Sequence, residues 1–246
     1  SKTEGDAGSQ NYDFTVTLDK EIDVAISVDI TTSNILATSG SGDFVANSTT
    51  LNFAGTAGET ETFTVVVNGD MIVEPDENFG VILSNLLASS RNIMLGSAGN
   101  GTILNDDAAT ISIDNVTKVE GNAGTTDFEF TVTLSKVVST AVSFDFTTAG
   151  ITATSGVDFV PNSNTLTFPA NGAGQTQTIT VPVNGDVLGE ANETFTVDLS
   201  NIVGSPSVTF ADAQGLGTIE DDDLAFSIDD VSIAEGNAGT TNLVFT

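Results

Sequence analysis

Asp221, Asp222 and Asp223 occupy consecutive positions with no Lys or Arg near them in the sequence to balance their charge. Three acid-bearing turns precede this run: Glu120 in VEG, Asp158 in SGVDF, and Asp186 with Glu190 in NGDVLGEANETF. All four groups occur once before, about 115 residues earlier, as Glu4, Asp43, Asp70 with Glu74, and Asp106 with Asp107. Unneutralised carboxylates in turns are the donors that hard cations take. Calcium gathers about six to eight oxygens from carboxylates and carbonyls, whereas magnesium keeps more of its water, so calcium fits better. The second set supplies seven carboxylates and the first six, because Asn105 stands where the second set has Asp221. Such a number exceeds the needs of one ion and suits about two to four calcium ions per complete joint, with bridging. On charge count alone, the first set is expected to bind more weakly.

Catalysis is a poorer use of the same residues. Paired carboxylates can hydrolyse glycosides, but here they recur in two copies, as structural sites do, and the chain has no His, Cys or Trp. Its single tyrosine, Tyr12, is thin material for a sugar platform, and no nucleophile has an adjacent base. The chain is read as a non-enzyme.

For these acids to meet, the elements between them must end on one side of the molecule. Apolar and polar residues alternate strictly: Phe128, Phe130, Val132 and Leu134, then Val142, Phe144 and Phe146, then Ile179, Val181 and Val183, then Phe195, Val197 and Leu199. Period two with Val, Thr and Phe predicts antiparallel strands with one buried face, and two such sheets face to face make a sandwich. The first copy repeats the pattern with Phe14, Val16 and Leu18, with Phe63, Val65 and Val67, and with Phe79, Val81 and Leu83. Gly, Asn, Asp and Ser clusters mark the turns, and Pro182 inside a good strand predicts an edge or a bulge. Loops of a sandwich gather at its two ends. The acid turns are therefore expected to converge at the end that leads into the next copy.

Ser1 aligns with Thr117 and again with Ser232. The organisation read from this is residues 1–107 as a repeat lacking its first strand, 108–223 as a complete repeat, and 224–246 as the start of a third. The chain reads as an excerpt of a longer tandem array. Completion of the first repeat by a strand donated from another chain is the rival, but the tail repeats the following loop and strand as well, which a donor does not need.

With 34 acids against five bases the net charge is -29. Nucleic acid and anionic lipid heads require a basic footprint and are excluded. No apolar run reaches membrane-spanning length and no signal peptide is visible, so direct membrane insertion is not expected. Without Cys, neither disulfides nor thiolate metal sites are available. The sequons at Asn47, Asn100, Asn115 and Asn192 read as chance in a chain rich in Asn and Thr.

Taken together, the EG turn, the G-x-D-F loop, the acid-rich segment from Asp186 to Phe195 and the terminal T-I-x-D-D-D resemble the Calx-beta domain over both repeats. The resemblance implies a seven-stranded immunoglobulin-like sandwich and a calcium site. It implies that Glu120, Asp158, Asp186 and Glu190 ligate from three loops, joined by the Leu188 carbonyl, and that Asp221, Asp222 and Asp223 close the site from the linker. In the first repeat it implies Glu4, Asp43, Asp70, Glu74, Asp106 and Asp107, with the Ile72 carbonyl. Gly69 and Gly185 stand where exchanger-type domains of this family carry a further acid.

The function expected is that of a calcium-stiffened structural repeat from a long extracellular adhesin or surface filament on a bacterial cell. Its partners are then the neighbouring repeats of the same chain and an unidentified surface or cell ligand. The alternative expectation is a calcium-sensing regulatory module attached to a transporter or other domain.

Overall fold

The computed structural model describes all residues except 89–90, 173–174, 224–227, 229, 241 and 245–246. Sixteen strands follow one another in the described residues: β1 (Lys2–Thr3), β2 (Gly8–Thr17), β3 (Ile26–Asn34), β4 (Ser48–Phe53), β5 (Thr60–Gly69), β6 (Glu77–Leu87), β7 (Gly99–Leu104), β8 (Ala109–Ile113), β9 (Val116–Val119), β10 (Gly124–Leu134), β11 (Val142–Gly150), β12 (Ser163–Phe168), β13 (Thr176–Gly185), β14 (Glu193–Val203), β15 (Val208–Phe210) and β16 (Gln214–Glu220). No helix among them is long and apolar enough to cross a membrane. The proposed third repeat falls partly outside the described residues, and the described part of 228–244 contains no strand.

In the second repeat, a sheet in the order β13-β10-β8-β15 faces one in the order β12-β11-β14-β16-β9. The alternation explains the layering: along β10, Phe128, Phe130, Val132 and Leu134 are buried while their neighbours face outward. From β14, Phe195 sits at the centre, with Phe159 stacked on it at 4.8 Å and Phe128 and Phe130 tilted against it at 5.7 and 5.9 Å. In the first repeat Phe79 takes the same place among Phe44, Tyr12 and Phe14. Such aromatic pairs add roughly 0.5–1.5 kcal/mol each beyond area burial. Pro182 lies opposite Asp127 on the edge strand β13, and its carbonyl turns outward to accept the Val160 N–H at 2.8 Å, so its missing N–H costs no bond to β10.

The first repeat has the sheet β1-β7-β6-β3-β4, but its second sheet is only β2 with β5. Among the described residues this sheet has no counterpart of β8, which carries the buried Ile111 and Ile113 into the second core. As a result Phe14, Val16 and Leu18 are only half-buried, whereas Phe130, Val132 and Leu134 are closed over.

One residue ties the repeats together. Val73, in the loop between β5 and β6, is fully buried within the hydrophobic cluster of the second repeat. Its N–H donates to the Val137 carbonyl at 2.9 Å, and its carbonyl accepts from the Ser139 N–H at 3.0 Å. The counterpart of Val73 in the second repeat is Gly189.

Candidate metal centre

The acids converge because four strand ends and one core-anchored loop do. Strand β9 runs parallel to β16 and places Glu120 beside the end of β16, its N–H donating to the Glu220 carbonyl at 3.2 Å. β14 starts at the same end, with Glu193 opposite Ile219. Asp158 is placed by its neighbour: Phe159 is locked into the aromatic core, so the preceding residue is held at the rim. The Asp158 carboxylate then accepts the Thr154 N–H at 2.5 Å. Asp186 follows β13 and accepts the Leu188 N–H at 2.7 Å, a turn repeated by Asp70 with Ile72.

The outcome is two groups per repeat, each with ligand oxygens within 4.8 Å of one another: Glu120, Asp186 and Asp223, and Asp158, Glu190 and Glu193 in the second; Glu4, Asp106 and Asp107, and Asp43, Glu74 and Glu77 in the first. Of the residues read from sequence, Asp70, Asp221 and Asp222 fall outside these triads. Asp222 instead accepts the Gly121 N–H at 3.1 Å, as Asp106 does from Gly5, which fixes the linker against the first turn. Asp70 and Asp221 act through charge, each helping to raise the carboxyl pKa of Glu4 and Glu120 respectively.

Two ligand candidates escaped the sequence reading. Glu77 and Glu193 recur two residues before the core Phe79 and Phe195, at the first position of β6 and β14, where they read as ordinary outward strand residues. Their recurrence in both copies was the available signal.

The electrostatics are those of a site built for a cation. Glu4 and Glu120 are only 3% and 6% exposed, and an acid is rarely buried so far without a partner. Burial, followed by repulsion from Glu74, Asp70, Asp106 and Asp107, pushes Glu4 up to about 8. Burial and then Asp186, Glu190, Asp221 and Asp223 push Glu120 up to about 7. Glu77 and Glu193 rise to about 7, first by burial and then through Asp43 and Asp158. Among the described residues, Asp107 Oδ2, Asp221 Oδ1 and Asp223 Oδ2 are buried oxygens without a hydrogen-bond partner. The oxygens of Asp107 and Asp223, on hard-donor carboxylates that pack within 4.8 Å of other carboxylates, fit a calcium-type ion.

One sequence expectation changes and another gains its reason. The first joint is not free of bases: Lys136, which lies in the second repeat, places Nζ 2.7 Å from Asp107 Oδ1. The glycines in place of a further acid have a steric cause, since a Cβ on Gly185 would lie 1.9 Å from the Gly121 carbonyl oxygen, and on Gly69 2.0 Å from that of Gly5. No acid fits there without moving the first turn.

Fold and acid-lined ends together define a tandem of two β-sandwich modules. The family model for the Calx-beta domain matches residues 2–113 and again 105–223, so the chain belongs to the Calx-beta family. Similar solved structures include the apo-form Calx CBD1 domain, 26% identical over 48% of this chain and 100% of its own, with a TM-score of 0.41. They also include CBD12 from CALX1.2, 18% identical over 85% and 93%, TM-score 0.39, and the calcium binding domain CBD12 of CALX1.1, 18% identical over 84% and 92%, TM-score 0.37. Comparison with curated proteins returns no match.

Proposed function

We propose that the chain is a calcium-binding structural segment of a longer extracellular repeat protein, a bacterial adhesin or surface filament, in which calcium at the joints stiffens the array. The observation that carries this reading is the placement of mutually repelling carboxylates, with Glu4, Asp107 and Glu120 buried among them, at the end of each repeat that leads into the next segment of chain. Glu120, Asp158, Asp186, Glu190 and Glu193 from the body and Asp223 from the linker hold the ions, with Asp221 adding charge and Asp222 fixing the linker. In the first repeat Glu4, Asp43, Glu74, Glu77, Asp106 and Asp107 do so, with Asp70 adding charge. A bound divalent ion supplies the positive charge that these groups lack, and so ties linker to body. The reading includes no catalytic role.

Domain motion is the default for modules joined by a small interface, so the test is shape. Small-angle scattering of a version with three complete repeats is expected to give a long, narrow particle with calcium and a bent ensemble after chelation. The bend is expected after Asp223, where Gly189 replaces Val73. Replacing Asp222 and Asp223 by Asn is expected to give the bent ensemble even with calcium. An equally extended particle in all three cases would contradict stiffening. It would favour the regulatory-module reading, which the strained glutamates support, because a site held together only by its ion reports the ion's presence.

A further inference from the structure

The contact between the repeats has a giving side and a receiving side, and the receiving side exists twice. Lys136 and Val138 of the second repeat receive Asp107 and Val73 of the first. Lys20 and Ile22 hold the same places in the first repeat, in LDKEID against LSKVVS. Only five bases occur in the chain, and two of them are this pair. The local backbone is tied alike: the Ile22 N–H donates to the Gly55 carbonyl at 2.8 Å, and the Asn171 N–H donates to the Val138 carbonyl at 2.8 Å, linking equivalent segments. The occupancy differs. Val138 is fully buried, whereas Ile22 is half-buried and lines an open depression in which Leu18, Ile93 and Met94 stand beside the charged Asp19, Glu21 and Arg91. Among the described residues Lys20 makes no ion pair.

We propose that Lys20 and Ile22 form a docking surface for the far end of a preceding repeat of the first-repeat type, with an Asp107-like carboxylate on Lys20 and a Val73-like side chain on Ile22. Continuity with the existing joint identifies the occupant, since the same surface one repeat along is filled this way. The charge around it is mixed, since Lys20 stands among Asp19, Glu21 and Asp23 and Arg91 pairs with Asp23 at 2.6 Å, so the argument rests on the shared position of the two surfaces and on Lys20 itself. A second copy of this chain is a poorer occupant: its far end offers Asp223 but has Gly189 where the plug belongs. The proposal rests on reading the chain as consecutive repeats, and not on cation binding.

The test places residues 1–116 directly ahead of residue 1 and follows amide exchange by NMR in the presence of a chelator, so that failure of the calcium reading leaves the result intact. Ser139 in the existing joint shows which amide to watch: its equivalent is Asp23, which is expected to exchange at least about tenfold more slowly in the extended chain than in the same chain with Val73→Gly in the added copy. That variant folds on independent grounds, because Gly occupies this position naturally in the second repeat. Lys20→Gln in the receiving repeat is expected to give part of the same loss. Equal Asp23 exchange with and without the added copy's Val73 would overturn the proposal. So would protection in the unextended chain that grows with protein concentration, which would assign the surface to contacts between separate chains.

Discussion

The backbone N–H of Asn105 donates to the carboxylate of Asp76 at 3.1 Å, and one repeat later the N–H of Asp221 donates to the side-chain oxygen of Asn192 at 3.4 Å. Asp and Asn exchange places between the two copies, so the pair keeps one negative charge in each. The deficit assigned to Asn105 from charge counting is made up by a neighbour 29 residues away. Asp76→Asn is therefore expected to weaken calcium binding at the first joint by about tenfold, the scale of one charge in a shared site. The double change Asp76→Asn with Asn105→Asp is expected to restore it. Titration calorimetry on the intact chain checks both, and an unaffected single variant would place Asp76 outside the site.

Lys136 makes the two joints unequal instead. Its ammonium meets Oδ1 of Asp107, a carboxylate with no exposed side-chain surface whose Oδ2 has no hydrogen-bond partner, so it neutralises part of the charge that an ion at this joint would meet. Lys136→Met leaves Asp107 buried without its partner, so melting in chelator is expected to fall by several degrees, in line with loss of a partner from a buried pair. The gain on adding calcium is expected to grow. A variant that melts as the parent does in both conditions would show the ion pair to be incidental.

Glu193 was missed as a ligand because it opens a strand, and its replacement separates binding from folding. Glu193→Gln removes repulsion from Asp158 and Glu190, so melting without calcium is expected to rise while affinity at the second joint falls. If neither moves, the Asp158, Glu190 and Glu193 group holds no ion.

The pH dependence has a definite sign. Glu4 and Glu120 titrate at about 8 and about 7 in the folded chain, against an ordinary 4.5. Between 4.5 and those values the folded state keeps protons that the unfolded chain has released, so the stability present at low pH is lost as pH rises through this window. Melting in chelator is expected to be higher at pH 5 than at pH 8, and the gap between calcium and chelator melts is expected to widen with pH. A flat profile in chelator would mean that these carboxyls are not clustered in solution.

What was readable from the residues follows physical range. The alternation in Phe128 to Leu134 encodes one buried face locally, and the DF pairs at Asp158 and Asp43 couple an acid to a core ring through one peptide bond. The alternation reads as such from the residues, while the D-F loop reads only as an acid turn and its core ring is seen in the structure. Glu77 and Glu193 were obscured because a strand's first residue obeys the same alternation as its interior. The contact at Val73 was not legible because this one residue bridges to Val138 in the other repeat through its backbone and its buried side chain, and the second copy breaks the pattern with Gly189. Lys136 on Asp107 was invisible for the same reason: the charges lie in different repeats, and only the fold brings them to 2.7 Å.

The central claim is that the buried carboxylates around Glu4 and Glu120 hold divalent ions in the folded state. An ion bound only there stabilises folding by mass action. Calorimetric melting of the intact chain at pH 7.5, in excess calcium and in chelator, tests this most directly. The account predicts a melting temperature at least about 5 °C higher with calcium, and a smaller rise with magnesium. Superimposable melts in calcium and chelator would contradict it.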